Sequence, residues 1–445
     1  MFDIIPLTFD RVHSGHIGSS AFPLFKMPVE LFDHVTRYLS KRDLETLALV
    51  DRDCCRLAAL SKYKALQVEL NSTKLYPELQ ASLQVSPSRL ADCVRQLNVT
   101  PPQLVPSTAF PNLGTDMQYV ISPPNTCEKT ITRFFPNVHI LNWDGPSFTS
   151  FNILDCIRTT SIKHLRIRGT LVDSSSIATC PTKGTTSFPL ETLSLDIDWP
   201  SSNGSKENAF IEDLIHTVAP HLRQLVWKGR RTHYNAEFCN NIPTFRNLRS
   251  LVLDSVPFDT EHAFSLFFGD NTRISSLSVD ASSAGTRNFL RTCGRVSSLR
   301  HFSSIYRLWT HSRYRDILTF LFSNDQLETV HIAHPIHHAE MDLLLFPMLH
   351  QHFDVLTSLR LTFDDTDIPQ QSLQAISSIS TLRRLWLSAG EQGFRSTWVI
   401  RHDDIFKYLK SLVDIEILAF SQDTYVTNTH TLAPRVDYYT TKALP

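Results

Sequence analysis

The sequence predicts an α/β protein in which three short N-terminal helices precede a solenoid of repeats whose parallel strands form a concave sheet. Apolar residues between Phe22 and Leu60 recur at helical spacing. Beyond residue 90 a unit of the form L-x-x-L-x-L returns a dozen times, and the stretches between these units carry amphipathic helical patterns. Strand, crossover and strand in repetition require parallel pairing, because a tight hairpin joins only antiparallel neighbours.

Residues 1–21 form a weakly patterned lead ending in HSGHIGSS. Leu31, Val35, Tyr38 and Leu39 then stand at i, i+4, i+7 and i+8, one face of a helix that Pro28 opens. Ser40 and Asp43 have the spacing of a capping box, which starts a second helix with Leu44, Leu47 and Ala48 inward. Asp51 caps a third helix carrying Cys54, Cys55, Ala58 and Ala59.

The repeated unit begins at Val94, Val138, Ile162, Leu190, Leu222, Leu248, Ile274, Leu299, Leu327, Leu356, Leu382 and Leu412. After the first gap, successive starts are 24 to 32 residues apart. Helical patterns fall between them, as in AFIEDLIHTVAP, RYRDILTFLFSN, MDLLLFPMLHQHF and RHDDIFKYLKSL. Pattern and period resemble leucine-rich repeats. The Asn or Cys that bonds the turn in regular repeats is absent, with Asp198, Arg230, Val256, Ser282 and Gly390 in its place, so the repeats are irregular. A doubly wound α/β domain shares the alternation, but a dozen sequential strands exceed its usual open sheet. The repeat region spans 66–423, and 424–445 read as a tail or cap.

The run FKMPVELFDHVTRYLSKRDLETLALVDRDCCRLAAL resembles an F-box, placed at 22–65. Pro28, Glu30, Leu31, Val35, Leu39, Asp43, Leu44, Leu47, Val50, Arg52, Leu57 and Ala58 match in register, whereas Met27, Asp51 and Cys54 depart from the usual residues. The resemblance implies a substrate-recognition subunit of an SCF-type ubiquitin ligase. Such a subunit docks on a Skp-type linker protein through Met27, Pro28, Leu31, Val35, Leu39, Leu44, Leu47 and Val50, and reaches cullin and RING subunits through that linker. The repeats would hold a protein target, and the chain itself would be no enzyme and need no cofactor. The alternative is a repeat scaffold bound to the linker without ubiquitin transfer.

Composition agrees with a folded protein: 42% hydrophobic and 20% charged residues. A net charge of -1 gives no general attraction to nucleic acid or anionic membrane. The N-terminus lacks the basic and apolar regions of a signal peptide, and no apolar run is long enough to span a bilayer. Eight scattered cysteines without a C-x-x-C pair fit a reducing compartment, so a cytoplasmic or nuclear location is expected.

Phosphate-binding glycine loops, the G-x-S-x-G elbow and H-E-x-x-H are all missing. His331, His334, His337 and His338, near Glu340 and Asp342, form the densest histidine cluster, but a strand and its following loop scatter side chains, and no metal is expected. Period-two alternation places His164, Arg166 and Arg168 on the concave face, followed by Asp196, Lys228, Asp254, Asp280, His331, Arg360, Arg384 and Trp386. Lys163, Arg166, Arg168 and Lys228, with Trp386, are therefore the candidate target-binding residues. The basic group would suit an acidic or phosphorylated protein if it is more than a solvated face.

Overall fold

The computed structural model describes residues 29–50, a few helical positions to 61, then 64–69, 94–100, 135–148, 157, 161–171, 188–198, 211–229, 244–256, 267–268, 273–280, 284–305, 314–389, 402–420 and 439–441, with isolated positions inside these spans excepted. The chain divides into two compact units, Met1–Ser202 and Asn203–Pro445.

The first unit opens with helices α1 (Val29–Thr36) and α2 (Lys41–Ala48). The capping box forms as the spacing requires. Asp43 N–H donates to Ser40 Oγ at 3.2 Å, and Ser40 N–H donates to the Asp43 carboxylate at 3.0 Å. Hydrogen bonds from the Ser40 side chain and then its backbone hold the Asp43 carboxyl below its ordinary range. Leu44 is buried, as are Cys54, Leu57 and Ala58 at helical positions downstream. The Ser61 hydroxyl ties that segment to α1 by donating to Thr36 Oγ1 at 2.6 Å.

Strands β1 (Ala65–Glu69), β2 (Gln96–Thr100), β3 (Ile140–Phe148), β4 (His164–Leu171) and β5 (Thr192–Asp198) follow, each parallel to the one before. The register aligns Leu97, Leu141, Leu165 and Leu193 in one buried row and Val99, Trp143, Ile167 and Leu195 in the next. β1 belongs to the same array, aligning Leu66 with Leu97 and Val68 with Val99. The sequence pattern began one unit too late here, because Tyr63 occupies the position of the leading aliphatic residue.

In the second unit residues 214–218 are helical. Then come β6 (Gln224–Gly229), β7 (Ser250–Asp254), β8 (Ser276–Asp280), α3 (Ala284–Thr292), β9 (His301–Ile305), α4 (Tyr314–Ser323) and β10 (Thr329–Ile336). The order continues with α5 (His338–Glu340), a π-helical turn (Met341–Leu345), α6 (Phe346–His352), β11 (Ser358–Phe363), α7 (Gln370–Ser377), β12 (Arg384–Ala389), α8 (His402–Leu409) and β13 (Ile417–Phe420). β6 to β13 are parallel and sequential, and β14 (Tyr439–Thr441) closes the edge antiparallel to β13. The four helical patterns read from the sequence all fall on helical segments.

Leu225, Leu251, Leu277, Phe302, Val330, Leu359 and Leu385 form one buried row here, each contributing about 1.5–3 kcal/mol by leaving water. Helices cover that face: Phe320 of α4 lies 4.9 Å from Phe302 of β9 and 6.3 Å from Phe289 of α3, ring centre to ring centre. Consecutive helices also meet, α3 with α4, α6 with α7 and α7 with α8. In the α5 to α6 region Pro347 has no N–H to give, and the wider π turn before it relieves the crowding that a proline ring causes one turn back.

A hydrogen-bonded edge recurs where each strand begins. Two successive amides donate to one carbonyl of the preceding strand edge: Lys163 and His164 to His139 O at 2.8 and 3.0 Å, and Arg383 and Arg384 both to Thr357 O at 2.9 Å. Between successive repeats of the second unit a buried amide, placed after α4 and ahead of β10, ties the loops together. Asn324 Oδ1 accepts from Val296 N–H at 2.8 Å, while its Nδ2 donates to Gly294 O at 3.0 Å and to Phe320 O at 2.8 Å. Gly294 takes a left-handed φ of 68°, which reverses the chain after α3 and suits a residue without Cβ.

Two further sequence expectations are corrected. The last unit is displaced by three residues, since Leu418 and not Ile415 aligns with Leu385. Asp196, Asp254 and Asp280, expected on the open face, are buried at the strand ends, where the alternation gives way to consecutive buried positions. Among the described residues no helix is long and apolar enough to cross a membrane.

Candidate functional site

In each unit the open face of the strands is lined by the residues that alternate with the buried rows. In the first unit Arg166 is exposed between Asn142 and Ser194 and makes no ion pair among the described residues. Arg168 stands between two carboxylates, 3.3 Å from Asp144 and 3.8 Å from Asp196. Lys163, at the strand edge, pairs with Glu191 at 3.4 Å. Two of the three predicted cations here are therefore already matched within the chain. Lys228 belongs to the second unit, in register with Asp254. The sequence reading named the basic residues but did not weigh the acids that the register sets beside them.

A different group forms across β9 to β12. The register aligns Ser303, His331, Arg360 and Trp386 in one open-face row, with His301, Thr329, Ser358 and Arg384 in the row before it. The Arg360 guanidinium lies over the Trp386 ring, 4.5 Å from its centre, where the ring's negative face attracts the cation. His301 Nδ1 bonds Thr329 Oγ1 at 3.0 Å. Burial first, and then the charges of Arg360 and His301, push the His331 imidazole below its ordinary value. No Asp or Glu occurs in these four strands. Trp227, by contrast, is fully buried and belongs to the core.

The N-terminal helices carry a second surface. Leu31, Val35, Tyr38 and Val50 are exposed, and Leu49 is exposed to 87%. Leu39 and Leu47 are half-buried, and Leu44 is buried at 7% exposure, so it packs within the chain where the sequence reading had it among the linker-facing residues. Met27 and Pro28 lie outside the described residues.

The histidine cluster divides. His331 is on β10, while His337 and His338 at the β10 to α5 junction converge with Asp365, a residue after β11 that the sequence reading did not connect with them. Asp365 Oδ1 lies 3.3 Å from His337 Nε2 and 2.9 Å from His338 Nδ1. Its other oxygen accepts the His338 backbone N–H at 2.8 Å.

No protein-family model matches the chain, and no curated protein matches it. Among solved structures, a leucine-rich-repeat protein of Leptospira interrogans is similar at 10% identity, covering 85% of this chain and 92% of that one with a TM-score of 0.32. The repeat architecture stated here rests on the strand order and register of this chain.

Proposed function

We propose that this chain is the target-recognition subunit of an SCF-type ubiquitin ligase, non-catalytic itself, in which the N-terminal helices dock on a Skp-type linker and the open face of the repeats holds a protein target. The observation that carries the reading is the pair of short helices leaving Leu31, Val35, Leu49 and Val50 uncovered, on the segment that resembles an F-box. Exposed apolar side chains of this size favour a partner that covers them. The cation and aromatic rows of β9 to β12 support target binding there, since Arg and Trp are the residues that most often anchor interfaces. Such a subunit acts by proximity, raising the effective concentration of its target at the conjugating enzyme.

The test is direct binding of the full chain to a purified Skp-type linker. Replacing Leu31 and Val35 together by Ala is expected to weaken it about 30-fold or more, as loss of roughly 2 kcal/mol of anchor would. Both are exposed, so the fold is spared, whereas Leu44→Ala would confound docking with folding. Unchanged affinity in the double variant refutes the docking surface. In a separate co-purification from cells, recovery of the linker without a cullin would instead favour a scaffold.

A further inference from the structure

We propose that His337, His338 and Asp365 form a binding site for a divalent transition-metal ion of the zinc class. This stands independently of the ligase reading. Neighbouring residues on a regular strand point to opposite faces, so an adjacent histidine pair rarely shares a ligand. Here the pair follows the end of β10 and spans the step into α5: His337 is the extended N-cap, with φ -65° and ψ 136°, and His338 begins the helix. The change of backbone at that step turns both rings to one side, with centres 4.3 Å apart.

The third donor comes from the next repeat. Asp364 N–H donates to Ile336 O at 2.9 Å, which brings the chain after β11 against the end of β10 and sets Asp365 opposite the rings. The three donor atoms all lie within 4.8 Å of one another. Four-coordinate zinc with bonds near 2.0–2.1 Å separates its ligand atoms by about 3.3 Å. The His337 Nε2 to Asp365 Oδ1 distance is already 3.3 Å, and the 2.9 Å from His338 Nδ1 opens by a few tenths on binding.

Two imidazoles and one carboxylate suit zinc or nickel better than calcium or magnesium, which require an oxygen cage. The carboxylate is held in place by the His338 amide, the kind of outer support that orients metal ligands. Binding through His337 Nε2 moves that ring's proton to Nδ1, at the expense of the long, 3.3 Å bond that Nδ1 accepts from Ala339 N–H. His337 is the more exposed ring, at 54% of its side chain, which leaves the remaining coordination to water and the site open to exchange. Its function would be to staple β10 to the repeat that follows.

The experiment titrates the full chain, stripped with chelator, with zinc chloride at neutral pH against a chromophoric competitor, and follows melting temperature in parallel. Saturable uptake of a single equivalent with a raised melting temperature is expected. Asp365→Asn and His337→Ala should each weaken it at least about tenfold, while His350→Ala on α6 leaves it unchanged. Each variant is first melted without metal, and one that does not fold is replaced by His337→Gln or His338→Gln. Absence of saturable uptake by the natural chain, or uptake of undiminished affinity in either ligand variant, overturns the proposal.

Discussion

Asn324→Ala tests whether one buried amide joins successive repeats of the second unit. The side chain is fully buried and makes bonds of 2.8 Å with Val296 N–H, 2.8 Å with Phe320 O and 3.0 Å with Gly294 O. Gln326 Nε2 adds a fourth at 3.2 Å. A net hydrogen bond contributes about 1 kcal/mol, and a buried group left without its partner costs about 1–3 kcal/mol. Val296 and Gln326 keep some access to water, so the expected loss is about 3 kcal/mol, a large share of the ~5–15 kcal/mol available to a domain. Urea denaturation followed by circular dichroism measures it, the loss falling in the transition of the second unit if the two units unfold separately. Hydrogen exchange at the Val296 amide gives a local reading and should accelerate in the variant. A change below about 0.5 kcal/mol with unaltered exchange at Val296 would refute the reasoning.

Leu251→Ala and Leu385→Ala, each in the buried row, are expected to cost about 2–5 kcal/mol, and Arg384→Ala on the open face almost nothing; equal effects in urea titrations would overturn the register. His331 gives a pH dependence with a definite sign. Its folded pKa lies below the ordinary 6.5, so the unfolded chain takes up a proton first, and stability falls as pH drops through 6.5 until the folded protein also protonates. Melting temperatures at pH 7.5 and 5.5 should differ less in His331→Gln than in the natural chain, and an identical difference would remove His331 as the cause. If an acidic target is held by β9 to β12, Arg360→Glu with Arg384→Glu abolishes its capture and added salt weakens it, whereas Arg168→Gln leaves it intact; the opposite pattern would return the site to β4.

The strand array was legible in the sequence because its signal is local. Leu251 and Leu253 alternate with Ser250 and Val252 inside a single strand, and burial of one face is enough to fix that alternation. The Ser40 and Asp43 capping box was legible for the same reason, its partners being three residues apart. Where a unit departs from the pattern the reading slipped, missing the first unit led by Tyr63 and starting three residues early in the last repeat, since nothing local distinguishes Ile415 from Leu418 as the residue in register with Leu385.

Pairings between repeats belong to the tertiary structure. Arg168 looked like a free cation until the register set Asp144 and Asp196 on either side of it, 24 and 28 residues away in sequence. Asp365 meets His337 and His338 only because parallel pairing carries the chain back beside its previous strand end. Periodicity specifies which face of a strand is buried. Which charge meets which depends on the length of each crossover and the register it sets, and these are decided only when the strands pair.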